Sequence, residues 1–206
     1  LHCSWDLSVP KGSGYWNITD LNNIEYQLKI IWGSVFNVNC FGDLTCILEG
    51  PPDEGWGHGE FENLREYPGI HILDARNPAN PNPVSKLGGD FAFDLIRVGD
   101  LAYVLSQGYW EIYDISNLNR PQCIFDGDDG WEGDAITAEG SVFCFSRHDE
   151  RIVEVWDTST PEESVLVSSI ELTCRDIFLT ENLLYCQGDE LRIYNLENLE
   201  EPQLIS

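Results

Sequence analysis

Five alternating apolar stretches of this chain end in Asp or Asn, and that recurrence constrains the fold more tightly than anything else in it. They are YWNITDLNN (15–23), IHILDARNP (70–78), WEIYDISNL (110–118), VEVWDTSTP (153–161) and LRIYNLENL (191–199). The closing residues Asp20, Asp74, Asp114, Asp157 and Asn195 stand 54, 40, 43 and 38 residues apart. A period of about 40 residues in strand-type sequence is that of a β-propeller, in which each repeat is one small antiparallel sheet. The expected fold is all-β: a β-propeller of about five blades, four complete and four-stranded and one composite or incomplete. A single domain over 1–206 is expected, with repeats ending near Asn23, Pro78, Leu118, Pro161 and Leu199.

The third repeat shows the unit most clearly. Pro83 to Leu87 begins a strand, Phe91 to Val98 gives a second, Leu101 to Leu105 a third and Tyr109 to Ile115 a fourth. Gly99-Asp100 between two apolar runs is a hairpin signal. Along the fourth strands Ile18, Ile72, Ile112, Val155 and Ile193 are expected to point one way. Asn17, His71, Glu111, Glu154 and Arg192 are expected to point the other way, toward solvent. The closing Asp or Asn reads as turn chemistry, its side chain accepting hydrogen bonds from amides two residues on. A second set, Asn37, Asp94, Asp134 and Asp176, starts the second strands. It reads as loop capping, or as a polar ring that collects a cation.

The run GDLAYVLSQGYWEIYDISNLNRP (99–121) resembles the LVIVD-repeat propellers, whose repeats carry a Gly-(Asn/Asp)-x-Ala-Tyr-Val strand and a Leu-x-Ile-x-Asp-(Ile/Val)-Ser-(Asn/Asp)-Pro strand. Asp157 to Pro161, Asp74 to Pro78 and Arg175-Asp176-Ile177 match the same pattern, whereas Asn17-Ile18-Thr19-Asp20 departs from it. The resemblance implies an extracytoplasmic binding or scaffolding protein, and it brings no catalytic residues to carry over.

The 11 basic and 36 acidic residues give a formal charge of −25. Such a surface repels nucleic acid phosphates and anionic lipid, and it attracts cations and basic partners. No apolar run approaches the roughly 20 residues that cross a bilayer, so membrane insertion is not expected. The chain opens at Leu1 and holds no Met, which leads us to expect a processed or partial chain. Of seven cysteines, Cys40 and Cys46 bracket one tight turn, and Cys174 and Cys186 bracket another. Both pairs are candidate disulfides, against the alternative of small buried apolar side chains. Asn17-Ile18-Thr19 is a glycosylation sequon, with Asn17 as acceptor.

Two inserts break the repeat length, and both are acidic and carry Trp: Glu49 to Pro68 and Asp126 to Asp134. Asp126, Asp128, Asp129 and Asp134 form a candidate Ca²⁺ site, although the spacing lacks the EF-hand register; otherwise no cofactor is expected. The Trp residues either roof the core or stack on a carbohydrate. No Gly-x-Ser-x-Gly, phosphate loop or His-Glu-x-x-His is present, so catalysis is not expected, with glycosidase chemistry left open. Pro202, Gln203, Leu204, Ile205 and Ser206 align with a first strand. They are expected to close the ring with the N-terminal segment, or to pair with a neighbouring copy head to tail. The resulting expectation is an extracellular or cell-surface, non-enzymatic propeller that binds protein or assembles, even into filaments. The alternative is a carbohydrate-binding or Ca²⁺-dependent carbohydrate-active protein built on the acidic loops.

Overall fold

The computed structural model describes residues 2–3, 13–17, 25–30, 35–41, 44–49, 69–74, 76, 82–88, 92–106, 109–128, 133–147 and 149–206. All regular structure there is strand, apart from one 3-10 turn at Pro161–Glu163. Two compact units are present: Leu1–Phe93 with Asn117–Pro121, and Asp94–Ser116 with Gln122–Ser206.

The first unit holds a three-stranded sheet, β1 (His2–Cys3), β2 (Ser13–Asn17) and β3 (Glu25–Ile30). It also holds a four-stranded sheet, β4 (Val35–Phe41), β5 (Leu44–Glu49), β6 (Gly69–Asp74) and β7 (Asn82–Leu87). The second unit carries most of a third sheet, β8 (Ala92–Val98), β9 (Leu101–Ser106), β10 (Tyr109–Asp114) and β11 (Gln122–Asp128). Its fourth sheet is β12 (Ala135–Glu139), β13 (Val142–Arg147), β14 (Ile152–Asp157) and β15 (Val165–Glu171). Its fifth is β16 (Asp176–Thr180), β17 (Leu183–Gln187), β18 (Leu191–Asn195) and β19 (Gln203–Leu204). Each sheet is an antiparallel meander in which chain neighbours pair.

This pairing shifts the blade by one strand from the expected phase. Pro83 to Leu87 lies in β7, the last strand of the second sheet, rather than opening the third. The strands that end on Asp74, Asp114, Asp157 and Asn195 each pair with the strand that follows in the chain, as short connections favour.

It also makes each Asp-closed strand an interior one with neighbours on both sides, and this corrects the solvent-facing reading. His71 is fully buried and Glu154 is 6% exposed. Glu111 and Arg192 are half-buried.

Within the second unit, aromatic residues fill the space between the third and fourth sheets. Trp110 stacks on Phe143 at 4.4 Å between ring centroids, and Tyr103 stacks on Phe143 at 5.2 Å. Burying such a side chain contributes roughly 2–3 kcal/mol. The Tyr103 hydroxyl is satisfied by Thr158 Oγ1 at 2.9 Å. Gly127 is required beneath the indole, because a Cβ there would stand 2.5 Å from Trp110 Nε1.

The fourth and fifth sheets meet through Cys144, Val153, Val155 and Ile170 on one side and Ile177, Leu179, Leu184, Cys186 and Tyr194 on the other. The Leu179 amide donates to Thr137 Oγ1 at 3.0 Å across that junction.

Candidate functional site

The strand-closing residues do what their chemistry predicts. Asp74 Oδ1 accepts from the Arg76 amide at 3.0 Å, and Asp114 Oδ1 from the Ser116 amide at 2.8 Å. Asp157 Oδ1 accepts from Ser159 at 2.8 Å, and Asn195 Oδ1 from Glu197 at 2.7 Å. The Arg76 guanidinium grips the Asp74 carboxylate, its Nε at 2.9 Å from Oδ2, and holds that carboxyl below its ordinary range. The hydrogen bonds from Ser116, side chain and amide, do the same for Asp114. These groups are committed to turns. Asp20 lies outside the described residues.

The acidic inserts are placed only in part. Residues 50–68 and 129–132, with Asp129 among them, lie outside the described residues. Asp126 and Asp128 belong to β11 rather than to a loop, in register with Glu111 and Tyr109. Asp134 is exposed just ahead of β12, its amide bonded to the Ser146 carbonyl at 2.9 Å. Among the described residues, no three His, Cys, Asp or Glu side chains gather as a metal site requires. Asp94 uses its side chain on the Leu95 amide at 2.8 Å, and Asp176 opens β16. Asn17 closes β2 opposite Glu25, and its side chain lies outside the description.

The cysteine pairing is corrected: Cys46, Cys174 and Cys186 are free thiols. Asn39, not Cys40, stands opposite Cys46, while Cys40 is opposite Thr45; a one-residue offset is the wrong register for a cross-strand bridge. The Cys174 thiol donates to the Asp176 carbonyl at 2.9 Å. A hydrogen bond from the Cys186 thiol holds Cys174 below the ordinary thiol range and raises Cys186. Burial pushes Cys144 up to about 12. All three lie in the apolar cluster between the fourth and fifth sheets.

The C-terminal segment is corrected as well. Gln203 and Leu204 pair with Asn195 and Tyr194, the Ile205 amide donates to the Ile193 carbonyl, and the Ile193 amide donates to the Ser206 carbonyl. Pro202–Ser206 thus completes the sheet of its own repeat. The strand next to it in sequence is also the nearest unpaired edge, and local closure is favoured over a distant partner.

One ion pair is buried in the fourth sheet. Arg147 Nη2 stands 3.2 Å from Glu154 Oε1, with the two side chains 10% and 7% exposed. Trp156 Nε1 donates to Glu154 Oε2 at 2.9 Å, and the guanidinium lies 5.3 Å from the centre of the Phe145 ring. Beyond this sheet, a cavity of about 740 Å³ opens at the turn ends. It is lined by Glu150, Glu171, Asp189 and Glu190 together with Arg151 and Arg192.

Several large apolar side chains of the last two sheets are exposed. Phe178 is 61% exposed, Leu191 60%, Ile205 58%, Leu204 57%, Val165 55% and Leu166 47%. Phe178 rests against Tyr185 at 6.4 Å between ring centroids. None of these residues was singled out in the sequence apart from Leu204 and Ile205. The signal for Phe178 was present: Ile177-Phe178-Leu179 is a continuous apolar run, and a strand of that kind is covered on both faces.

The chain matches no family model and no curated protein at a significant level. It does resemble solved structures. A chain of a mitotic checkpoint complex is 13% identical with a TM-score of 0.67, over 93% of this chain and 56% of that one. Hsv2 of Kluyveromyces lactis is 12% identical with a TM-score of 0.63, over 96% of this chain and 56% of that one. The computationally designed Ika4 protein is 9% identical with a TM-score of 0.56, over 79% of this chain and 91% of that one. The chain spans 48% of the designed Ika8 protein and 56–59% of two Hsv2 structures. The Hsv2 and checkpoint-complex chains are β-propellers, and with them this chain shares the fold. A β-propeller built of small antiparallel sheets is therefore the class to which it belongs.

Proposed function

We propose that this chain is a non-enzymatic interaction scaffold that holds a basic protein partner. The observation that carries the reading is the set of large apolar side chains, from Val165 to Ile205, exposed on the last two sheets of a chain whose formal charge is −25. Exposed apolar groups amid like charge suit a partner that offers apolar contact at its centre and Lys or Arg around it. Kinship with the LVIVD-repeat propellers, and with it an extracellular or cell-surface location, is part of the proposal. Its support is the run from Gly99 to Pro121 and the Asn17 sequon. Filament assembly drew on Pro202–Ser206 as a strand free to pair between copies; since that strand pairs at home, the scaffold is taken to be heterotypic.

The test is to immobilise the full chain, elute bound protein with rising salt, and rebuild the complex from purified components by calorimetry. A stoichiometric, salt-sensitive protein complex is expected. Turnover of aryl glycosides by the purified chain, with no stoichiometric protein partner at low salt, would overturn the reading.

A further inference from the structure

Corresponding turns of the last three sheets differ in length, and the added residues are mostly charged. Ser106 and Tyr109 face each other across two residues in the third sheet, Gln107 and Gly108. Arg147 and Ile152 face each other across four in the fourth, and Gln187 and Leu191 across three in the fifth. The longer turns bring Glu150 and Arg151, and Asp189 and Glu190, to the rim of the cavity of about 740 Å³ described above. Backbone contacts fix its walls. The Leu172 amide donates to the Arg151 carbonyl and the Arg175 amide to the Gln187 carbonyl, both at 2.8 Å, so the connection between the two sheets is tied to each turn. Gly188 lies directly against that connection, since a Cβ there would stand 2.3 Å from the Thr173 carbonyl oxygen. The half-buried Ile152 and Leu172 give the cavity an apolar lining.

Charges of both signs face this opening without neutralising one another. Arg147 pairs with Glu154 at 3.2 Å and with Glu150 at 3.4 Å, which accounts for one of the four carboxylates of the lining. Among the described residues, neither Arg151 nor Arg192 is in an ion pair with Glu171, Asp189 or Glu190. Arg192 is half-buried and stands opposite Cys186, which belongs to the cluster between the two sheets, so its side chain projects toward the fourth sheet. Arg151 holds a left-handed backbone, φ 59°, directly before its strand, where the third sheet has Gly108. Gly costs less in that conformation, so the turn keeps a guanidinium at the cavity against local preference. A purely cationic ligand would set its charge against two guanidiniums, and a purely anionic one against three carboxylates. A ligand carrying both charges suits the whole lining.

We infer that this cavity binds a short peptide segment in which a Lys or Arg side chain stands within two residues of a carboxylate, supplied by a chain terminus or by Asp or Glu. Glu171, Asp189 and Glu190 receive the cation, Arg151 and Arg192 receive the carboxylate, and Ile152 and Leu172 take the methylene stem. The volume falls within the range of about 300–1,000 Å³ that holds small ligands. The inference rests on the interaction-scaffold reading and names one site and the partner chemistry it would recognise.

The probes are three acetylated pentapeptides, titrated into the full chain by calorimetry at low salt. One ends in Arg with a free carboxylate, its twin is amidated, and the third is amidated with Glu two places after Arg. A carboxylate-bearing peptide is expected to bind at least about tenfold more tightly than the amidated twin. Binding by the free acid alone assigns the carboxylate to a chain terminus, and binding by the Glu peptide alone assigns it to an internal segment; either supports the inference. Arg151→Gly suits the left-handed backbone, so its melting temperature is expected to stay unchanged while the advantage over the amidated twin shrinks. Arg192→Gln is expected to shrink it as well, and Glu171→Gln to weaken every peptide that binds. Glu139→Gln removes the same charge at the opposite end of the fourth sheet and is expected to leave affinity unchanged.

Equal affinity for all three peptides, or no binding of any at millimolar concentration, overturns the inference. So does a loss with Glu139→Gln as large as that with Glu171→Gln, since the overall charge of the chain would then account for binding. If the peptides fail while a stoichiometric protein complex is still recovered from the full chain, the cavity is the wrong site and the scaffold reading stands. Failure of both removes the scaffold reading too.

Discussion

Glu111 in the third sheet and Glu154 in the fourth occupy the same place in successive repeats, two residues after the start of an interior strand and three before the closing Asp. In the fourth sheet Arg147 and the Trp156 indole reach Glu154, and the carboxylate is buried and satisfied. In the third sheet Ser106, not an Arg, stands at the place that Arg147 holds in the fourth. Burial comes first among the causes that raise Glu111, and the nearby Asp126 carboxylate adds to it. The Cys123 thiol approaches Glu111 Oε1 at 3.7 Å, and burial followed by the Glu111 charge pushes that thiol up to about 11. A repeat thus fixes where a side chain stands, while the residue across the strand decides whether its charge is welcome.

The sharpest way to break this comparison is Glu154→Ala, which takes from the buried Arg147 guanidinium its 3.2 Å carboxylate partner and leaves the more exposed Glu150 at 3.4 Å. A loss of about 3 kcal/mol in urea unfolding is expected. A loss near zero would mean that the two glutamates are equivalent after all. A smaller effect tests where the repeats agree. Asn195→Ala removes the acceptor of the Glu197 amide and is expected to cost about 1 kcal/mol, with Asn195→Asp largely preserving stability.

The smallest effect concerns Glu111. Its raised pKa means that the proton-bound form is favoured by folding, so that contribution is complete below the ordinary carboxyl value of 4.5 and is lost as pH rises through the raised one. Glu111→Gln should therefore match wild type in acid and exceed it at pH 7, by less than the Glu154 loss. The same variant should speed alkylation of Cys123 at fixed pH, because a charge that raises the thiol is gone. Unchanged alkylation would detach the thiol from the carboxylate.

How much of this was readable beforehand depends on how local the cause is. Four turns in which Asp74, Asp114, Asp157 or Asn195 caps an amide two residues on follow from side-chain reach, which sequence displays directly. The strands followed from alternation, and the propeller from their spacing. The phase of the sheet did not follow, because a period has no origin: β7 and β19 look the same whether they open a repeat or close one. Nor did exposure. Glu154 and His71 alternate with apolar residues and so read as solvent-facing, yet an interior strand is covered on both sides. The Cys40–Cys46 bridge failed on a one-residue register that turn length alone does not reveal.

The amide caps that end the interior strands carry an evolutionary corollary. Each is made between residues two apart, and none borrows an atom from another repeat. A unit whose punctuation travels within its own few residues can be duplicated, reinserted or worn down at its faces without losing its stop signal. That helps explain how copies as different as one that sets Thr137, Cys144 and Val155 side by side and one that sets Phe178, Tyr185 and Ile193 there still end their strands alike.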